Sequence, residues 1–185
     1  MNKEHTDEYL MSCFRDHGDY RYLEELTERY GNPALIFARQ FLFERENAQD
    51  AVQETFIKIF RECENYDSGG KFAPWFYRIL RNTCFDMLRK RKTYDEYLEK
   101  YETTRQESII QAPEQASAST EYLRHLTDEE REIVLLKIVD DLTFEDIAKI
   151  VGCSVEAAKK RGQRALGRLR TQAHKQEAEA TVTGT

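Results

Sequence analysis

Small and apolar residues recur every three to four positions near the end of the chain, which is the period of an α-helix. On a helical wheel they fall within an arc of roughly 100°, and they are Val155, Ala158, Gly162, Ala165, Leu166 and Leu169. The opposite side carries charged and amide side chains, namely Glu156, Lys159, Lys160, Gln163, Arg164 and Arg170, with Arg161 and Arg168 on one flank. The pattern predicts a helix with a packed stripe and a cationic face, as a helix in a DNA major groove needs. An ordinary solvated surface helix is the simpler alternative.

Two more helices are predicted immediately before this one. A Thr-x-x-Glu capping box begins at Thr127, and a Thr-x-x-Asp variant of it begins at Thr143. Gly152 suits the left-handed conformation that ends a helix, and Ser154 can cap the basic helix that follows. A helix, a short turn and a second helix together form the helix-turn-helix pattern.

The first half of the chain is also patterned for helices. Apolar positions between residues 21 and 44 predict a helix that Gly31-Asn32-Pro33 divides, because proline favours the first turn of a helix over its interior. Asn47 is a potential N-cap for the next helix. The apolar stripe predicted for that helix consists of Ala51, Val52, Thr55, Phe56, Ile59 and Phe60. Its acids, Asp50 and Glu54, either compensate the helix dipole or form a patch for a protein partner, and periodicity alone favours the first interpretation.

The segment from Lys71 to Lys92 predicts a long helix with a basic outer face. Pro74 is compatible with it because it lies in the first turn. The predicted packed face consists of Phe72, Trp75, Phe76, Ile79, Leu80, Thr83, Cys84 and Met87. The predicted outer face consists of Lys71, Arg78, Arg81, Asn82, Phe85 and Arg89. Such a face suits single-stranded nucleic acid. Trp75, on the packed face, is expected to pack in the core rather than to stack on a base.

Periodicity is lost between residues 93 and 120, where Thr, Gln, Glu, Ser and Ala predominate. This stretch is predicted to be a flexible linker that can include a helical turn near Tyr94–Tyr101. Residues 173–185 are predicted to be a disordered tail. No segment alternates convincingly at a period of two. We therefore predict an all-α fold with two small helical domains, at residues 1–92 and 121–172, of which the second is a helix-turn-helix domain.

Charge is strongly segregated along the 185 residues, whose formal net charge is −6. The segments Lys71–Lys92 and Glu156–Lys175 each hold seven cations against one acid, which leaves the rest of the chain strongly acidic. The acidic sum is therefore compatible with DNA binding, because the distribution of charge decides where nucleic acid can bind. The acidic remainder could itself contact a basic partner.

Composition and motifs exclude several classes of protein. The chain is 40% hydrophobic and so globular, and it lacks both the roughly 18 apolar residues of a membrane span and a signal peptide, so we expect a cytoplasmic protein. The scattered cysteines Cys13, Cys63, Cys84 and Cys153 are expected to be reduced and mostly buried. A metal site made of His5, Cys13 and His17 would match no common zinc spacing. We expect no metal, no cofactor and no enzymatic activity, since no nucleophile–base pair or phosphate-binding loop is recognisable.

Three blocks of sequence together carry a family resemblance. They are NAQDAVQETFIKIF, KFAPWFYRILRNTCFDMLRKR and LTDEEREIVLLKIVDDLTFEDIAKIVGCSVEAAKKRGQRALGRLR. In this order they resemble the core-binding helix, the helix after it and the C-terminal domain of extracytoplasmic-function (group 4) sigma factors of bacterial RNA polymerase. The resemblance covers residues 20–92 and 122–172. It implies a non-catalytic transcription initiation factor that directs core polymerase to promoters and assists melting at the −10 element.

The resemblance also implies roles for individual residues. Positions that dock on the clamp helices of core polymerase are matched by Asp50, Gln53, Glu54 and Phe56. The part that captures an unstacked base and holds the single strand at the −10 element is matched by Asn65, Tyr66, Ser68, Lys71, Arg78, Arg81, Asn82 and Arg89. Positions at the −35 element are matched by Glu156, Lys159, Lys160, Arg161, Gln163, Arg164 and Arg168, of which Arg161 and Arg168 are expected on phosphates.

Further partners follow from the same resemblance. The C-terminal domain would also contact the polymerase flap, the linker would thread the polymerase channel, and an anti-sigma factor would hold the protein inactive. Three features depart from the family pattern: Ala157-Ala158 replaces Thr-Val, Lys160 replaces a serine, and Gly162 replaces an aliphatic residue. These departures predict a softer helix with more phosphate-driven affinity.

Two other functions are compatible with parts of the sequence. A stand-alone helix-turn-helix regulator would bind DNA without polymerase, but it has no use for the acidic and amide positions at Asp50–Glu54. A sigma-like decoy would only sequester an anti-sigma factor, but it could lose the cations that both basic helices retain.

Overall fold

The computed structural model describes residues 5–42, 44–67, 69–101, 123, 125–139 and 141–183. Their regular structure is helical throughout, without any β-strand, which confirms the predicted all-α class. The chain divides into two compact units, Met1–Pro113 and Glu114–Thr185. None of the helices in the described ranges combines the length and apolar character that crossing a bilayer requires.

The described part of the first unit holds four α-helices. These are α1 (Asp7–His17), α2 (Tyr20–Ala38), α3 (Arg45–Arg61) and α4 (Phe72–Tyr101), with a 3-10 turn at Cys63–Asn65. The start of α1 is capped by Thr6, whose hydroxyl accepts the Tyr9 N–H, and its end is Gly18 at φ 66°. Acidic residues in the first turn of α1 and basic residues in its last turn complement the helix dipole.

The core of the first unit is built from aromatic rings on α4 and α2. Phe72, Phe76 and Tyr77 are fully buried, and Tyr30 contacts all three, with ring centroids 5.0, 4.8 and 6.3 Å away. Phe37, two turns further along α2, meets Tyr77 edge-on at 5.8 Å. Because tilted and edge-on pairs are directional, these contacts fix the rotation of α4 and turn its basic side toward solvent.

The predicted break in the second helix is wrong, because α2 runs without interruption through Pro33. A proline inside a helix costs about 3 kcal/mol locally. Tyr30, Ala34 and Phe37 lie on both sides of it and are buried, and their packing outweighs that cost.

The prediction for the start of α3 is also wrong. The N-cap is Glu44 and the helix begins at Arg45, so that Asn47 lies inside the first turn and donates its amide to the Glu44 carboxylate at 2.6 Å. The face of α3 that is buried consists of Ala48, Ala51, Thr55 and Ile59. These mostly small residues let α3 approach its neighbours closely, and Phe60, predicted to be packed, is 43% exposed.

The second unit is a helix-turn-helix domain, as the sequence predicts. Its described helices are α5 (Asp128–Val139), α6 (Phe144–Val151) and α7 (Val155–Thr183). The capping box at Thr127 is complete, since the Glu130 N–H donates to the Thr127 hydroxyl at 3.3 Å and the Thr127 N–H donates to the Glu130 carboxylate at 3.2 Å. At Thr143 the shorter Asp146 carboxylate accepts from the threonine hydroxyl instead, at 2.7 Å.

The turn between α6 and α7 forms from local signals alone. Gly152 adopts φ 78° and its N–H donates to the Ala148 carbonyl, which ends α6. Ser154 accepts the Ala157 N–H at 3.2 Å, which begins α7. Both residues occupy the roles that their types predict.

Two predicted boundaries differ from the structure. The linker was predicted to begin at residue 93 with no more than a helical turn near Tyr94–Tyr101, but α4 continues to Tyr101. The tail from residue 173 was predicted to be disordered, but α7 continues to Thr183. Residues 93–101 and 173–183 contain neither glycine nor proline, and the second stretch is rich in Ala and Glu, so backbone propensity extends each helix beyond its apolar stripe. The rest of the predicted linker, residues 102–120, lies outside the described residues.

Gly162 marks the closest approach within the second unit. A Cβ at this position would lie 3.0 Å from Phe144 Cε1 and 3.4 Å from Ile133 Cγ2. The ring of Phe144 therefore occupies the space that an aliphatic side chain at 162 would take. Leu166, predicted to lie on the packed stripe, is 40% exposed.

We expect Gly162→Ala to destabilise the second unit even though alanine favours a helix by roughly 0.5–1 kcal/mol, because the added methyl meets the Phe144 ring. In a Phe144→Leu background the same change should stabilise it. Gly167→Ala, where a Cβ would meet nothing within 4 Å, is the control and should stabilise both backgrounds. The unfolding temperature is measured for both glycine substitutions in the parent and in Phe144→Leu, and for the two backgrounds themselves. Equal effects of Gly162→Ala in both backgrounds would refute the contact with the ring.

Candidate nucleic-acid interface

The outer face of α4 gathers cationic, amide and aromatic groups, as predicted. Arg78 and Asn82 are exposed, and the Arg81 guanidinium lies over the Phe85 ring, 4.7 Å from its centroid. An open groove here is lined by Arg81, Asn82, Phe85, Asp86 and Arg89. A guanidinium stacked in this way keeps its N–H groups around its edge, where they can meet phosphates or the edges of bases.

The acid within this basic segment, Asp86, forms an ion pair with Arg89 across one turn of α4. Both side chains are exposed, so the pair contributes little to stability and is screened by salt. A phosphate can therefore displace Asp86 from Arg89 at low cost.

The loop between Tyr66 and Lys71 is compact where it is described. The Tyr66 hydroxyl donates to the Gly70 carbonyl at 2.8 Å. The Gly70 N–H donates to the Asp67 carbonyl at 2.8 Å, and the Gly69 N–H donates to the Asp67 carboxylate at 3.0 Å. The loop is thus closed by its own hydrogen bonds before any ligand is present.

Tyr66, predicted to contact the −10 element, belongs to the core instead. It is 3% exposed, and its ring lies 5.2 Å from that of Trp75 and 6.2 Å from that of Phe72. Burial raises the pKa of Tyr66 to about 12, so its hydroxyl remains a donor within the loop. The packing role expected of Trp75 is confirmed by the same contact.

Three other residues of the predicted site lie in or beside this loop, and the structure describes two of them. Asn65 and Lys71 are exposed at the two ends of the loop, on the same unit as the outer face of α4. Ser68 lies outside the described residues.

The outer face of α3 is acidic and borders α4. Asp50 and Gln53 are exposed and Glu54 is half-buried. A groove beside them is lined by Asp50, Gln53, Glu54, Ile57, Lys58, Thr83, Asp86, Met87 and Lys90. The acids are therefore displayed along a surface between two helices, beyond the first turn to which dipole compensation is confined.

The apolar member predicted for this face, Phe56, is less exposed than its neighbour Ile57. Phe56 is half-buried and its ring packs on Phe76 at 5.5 Å. Ile57, 42% exposed, is the apolar side chain that lies in the groove with Gln53 and Glu54. The spacing of positions 53, 54 and 57 on one helical face is the signal that identifies it.

The outward face of α7 is exposed as predicted. The exposed side chains of its first three turns are Glu156, Lys159, Lys160, Gln163 and Arg164. Lys159 lies 3.5 Å from the Glu145 carboxylate on α6 in an exposed pair. Ala158 is fully buried, so the departure from the family pattern at this position changes packing and leaves the exposed face unaltered.

Arg161 and Arg168 each form an ion pair with α5. Arg161 pairs with Glu129 at 3.2 Å, and Arg168 donates to Glu130 at 2.7 Å. Glu130 is only 5% exposed and also receives the N–H of the Thr127 cap. These two pairs hold α7 against α5, and the phosphate contacts expected of both arginines stay a prediction.

We expect Arg168→Ala to lower the free energy of unfolding of the second unit by about 1 kcal/mol, because it leaves the buried Glu130 carboxylate without its charged partner. Arg164→Ala, which removes an exposed guanidinium from the same helix, should leave stability within about 0.5 kcal/mol of the parent. Chemical denaturation measures both. Equal stabilities of the two variants would show that the Arg168–Glu130 pair contributes nothing.

The cysteines and other potential metal ligands are scattered in the described ranges. No group of three or more His, Cys, Asp or Glu side chains there could hold a metal ion. All four cysteines are unpaired, and burial raises the pKa of Cys84 to about 12, so its thiol is inert.

Two segments of the chain match families of known proteins. Residues 26–94 match the family described as Sigma-70 region 2, and residues 120–169 match the family described as Sigma-70, region 4. The chain is 31% identical over 167 residues to the RNA polymerase sigma factor CarQ of Myxococcus xanthus, a match that covers 86% of this chain and 93% of CarQ. It is 28% identical to the ECF RNA polymerase sigma factor SigW of Bacillus subtilis, with 84% of this chain and 90% of SigW covered.

The fold is also similar to that of a solved complex. The sigma factor RpoE, crystallised with the anti-sigma factor NepR from Bartonella quintana, superposes with a TM-score of 0.67 at 24% identity. The match covers 83% of this chain and 96% of the RpoE chain.

Proposed function

The chain belongs to the sigma-70 family as a sigma factor of the extracytoplasmic-function type, and from this premise we propose which of its surfaces meets each part of the transcription initiation complex. The observation that carries the proposal is the presence of two exposed cationic faces, one in each unit, and one exposed acidic face in the first unit. We assign the first unit to core polymerase and the −10 element, and the second unit to the −35 element.

The acidic face of α3 is the proposed contact with core polymerase. Asp50, Gln53 and Glu54 offer carboxylates and an amide at the surface, with Ile57 as an apolar contact between them. A basic coiled coil such as the clamp helices complements this face in charge, which favours fast association and rejects acidic partners. Phe56 supports the face from the core side through its contact with Phe76.

The outer face of α4 and the Asn65–Lys71 loop are the proposed site for the melted −10 strand. Arg78, Asn82 and the stacked Arg81 supply donors to phosphate and sugar, and Phe85 adds an aromatic surface. Tyr66 closes the loop from within and is excluded from direct contact with the strand.

The outward face of α7 is the proposed contact with the −35 element. Lys159, Lys160, Gln163 and Arg164 project from the first turns of a helix-turn-helix recognition helix, which is the part that meets base edges in the major groove. Each unit alone would bind weakly, and polymerase would raise the affinity by holding both on one promoter. The second unit would also meet the polymerase flap.

The protein would act by binding alone, without catalytic chemistry of its own and without a cofactor. We propose that it works in the cytoplasm, where core polymerase and promoters are found. By analogy with RpoE in its complex with NepR, we further propose that an anti-sigma factor holds it inactive until a signal releases it.

We expect Asp50→Lys to abolish binding to core polymerase by reversing charge in the middle of the acidic face. Glu24→Lys, which makes the same change at an exposed position on α2, is the matched control and should bind normally. A binding titration with purified core enzyme, together with run-off transcription, measures both variants. Normal binding by Asp50→Lys would remove α3 from the interface, and DNA binding without any polymerase binding by the parent would favour a stand-alone regulator.

We expect Gln163→Ala to relax discrimination at one base pair of the −35 element by roughly 1–3 kcal/mol, because an amide can pair with a base edge. Arg170→Ala, on the same side of α7 beyond the first turns, should instead weaken binding to all sequences equally or not at all. Competition between duplexes that differ at single positions measures this. A uniform loss for Gln163→Ala would show that the amide meets only the phosphate backbone.

A further inference from the structure

The first helix is bonded to both ends of the loop that precedes α4. At the first end, Arg15 donates from Nη1 to the Tyr66 carbonyl at 3.0 Å. At the second end, the Phe72 N–H donates to the Glu8 carboxylate at 3.1 Å. Both bonds are partly buried, and both come from a helix that lies before residue 26, where the Sigma-70 region 2 match begins.

α1 is itself held firmly against α2. Asp7 accepts the Tyr30 hydroxyl at 2.6 Å and also pairs with Arg29. Arg29 donates in addition to the His5 carbonyl at 3.0 Å, and the apolar side of α1, consisting of Leu10, Met11 and Phe14, is buried. The two groups that contact the loop therefore project from a fixed base.

The two bonds satisfy backbone groups that the hydrogen bonds of a helix leave unsatisfied. The Phe72 N–H is the first of α4, and the opening N–H groups of any helix lack an intrahelical acceptor. A carboxylate at this point also complements the positive end of the helix dipole. The Tyr66 carbonyl lies outside any helix, so Arg15 supplies a charged donor where the chain leaves the 3-10 turn.

We propose that Glu8 and Arg15 are positioning residues that hold Tyr66 and Phe72, on either side of the loop, where the loop can capture an unstacked −10 base. This inference rests on the proposed function of the loop. A pocket for a single base requires its walls to lie within about 0.5 Å of the productive arrangement. With Tyr66 closing the loop from inside, Glu8 and Arg15 fix both of its ends from outside.

The test compares Arg15→Ala and Glu8→Ala with Arg21→Ala, which deletes an equivalent charge from an exposed pair with Asp19 away from the loop. Binding is measured between the full-length protein with core polymerase and single-stranded oligonucleotides that carry each of the four bases at the captured position. We expect discrimination between the bases to fall about tenfold in the first two variants, and to remain at the parent level in Arg21→Ala. Affinity for core polymerase should remain at the parent level in all three.

Conservative variants separate positioning from simple support of the fold. Glu8→Gln keeps an acceptor oxygen and Arg15→Lys keeps a charged donor, so each should regain part of the discrimination that the alanine variants lose. They also provide the readout if an alanine variant fails to fold. Parent-level discrimination in folded Arg15→Ala and Glu8→Ala, even with a lowered unfolding temperature, would overturn the inference. Absence of discrimination in the parent itself would instead overturn the proposed function of the loop.

Discussion

The packing of the α4 aromatic rings around Tyr30 is the constraint on which the first unit depends. One tyrosine on α2 touches Phe72, Phe76 and Tyr77, and its hydroxyl reaches Asp7 on α1. A single ring thus fixes the rotation of α4 and the position of the helix that anchors the loop. The outward direction of the basic face of α4 and the position of α1 beside the loop both follow from where these buried rings lie.

Charge in the second unit serves two separate purposes. Arg161 and Arg168 are used within the domain, where they hold α7 to the start of α5. Lys160, Gln163 and Arg164 project outward from the same helix. Counting basic residues along the sequence therefore overlooks that two of them also have partners within the domain, which a phosphate would have to displace or share.

Features set by near neighbours in the chain could be predicted from the sequence, and those set by distant contacts could not. The capping box at Thr127 and the left-handed Gly152 depend on residues within four positions, so both were predicted. The continuity of α2 through Pro33, the burial of Tyr66 and the pairing of Arg168 all depend on other helices. The family resemblance supplied roles for positions but not their exposure. That Phe56 packs on Phe76 while Ile57 is exposed depends on which side of α3 packs on α4.

The contact between Gly162 and Phe144 has a consequence for exchanging parts of the domain with a relative. The Phe144 ring lies where a side chain at 162 would begin, so a residue larger than glycine there requires that ring to shift. A chimera that exchanges α7 alone would place the incoming residue at 162 against an unchanged Phe144, whereas one that exchanges α6 and α7 together would keep each residue with its own neighbour.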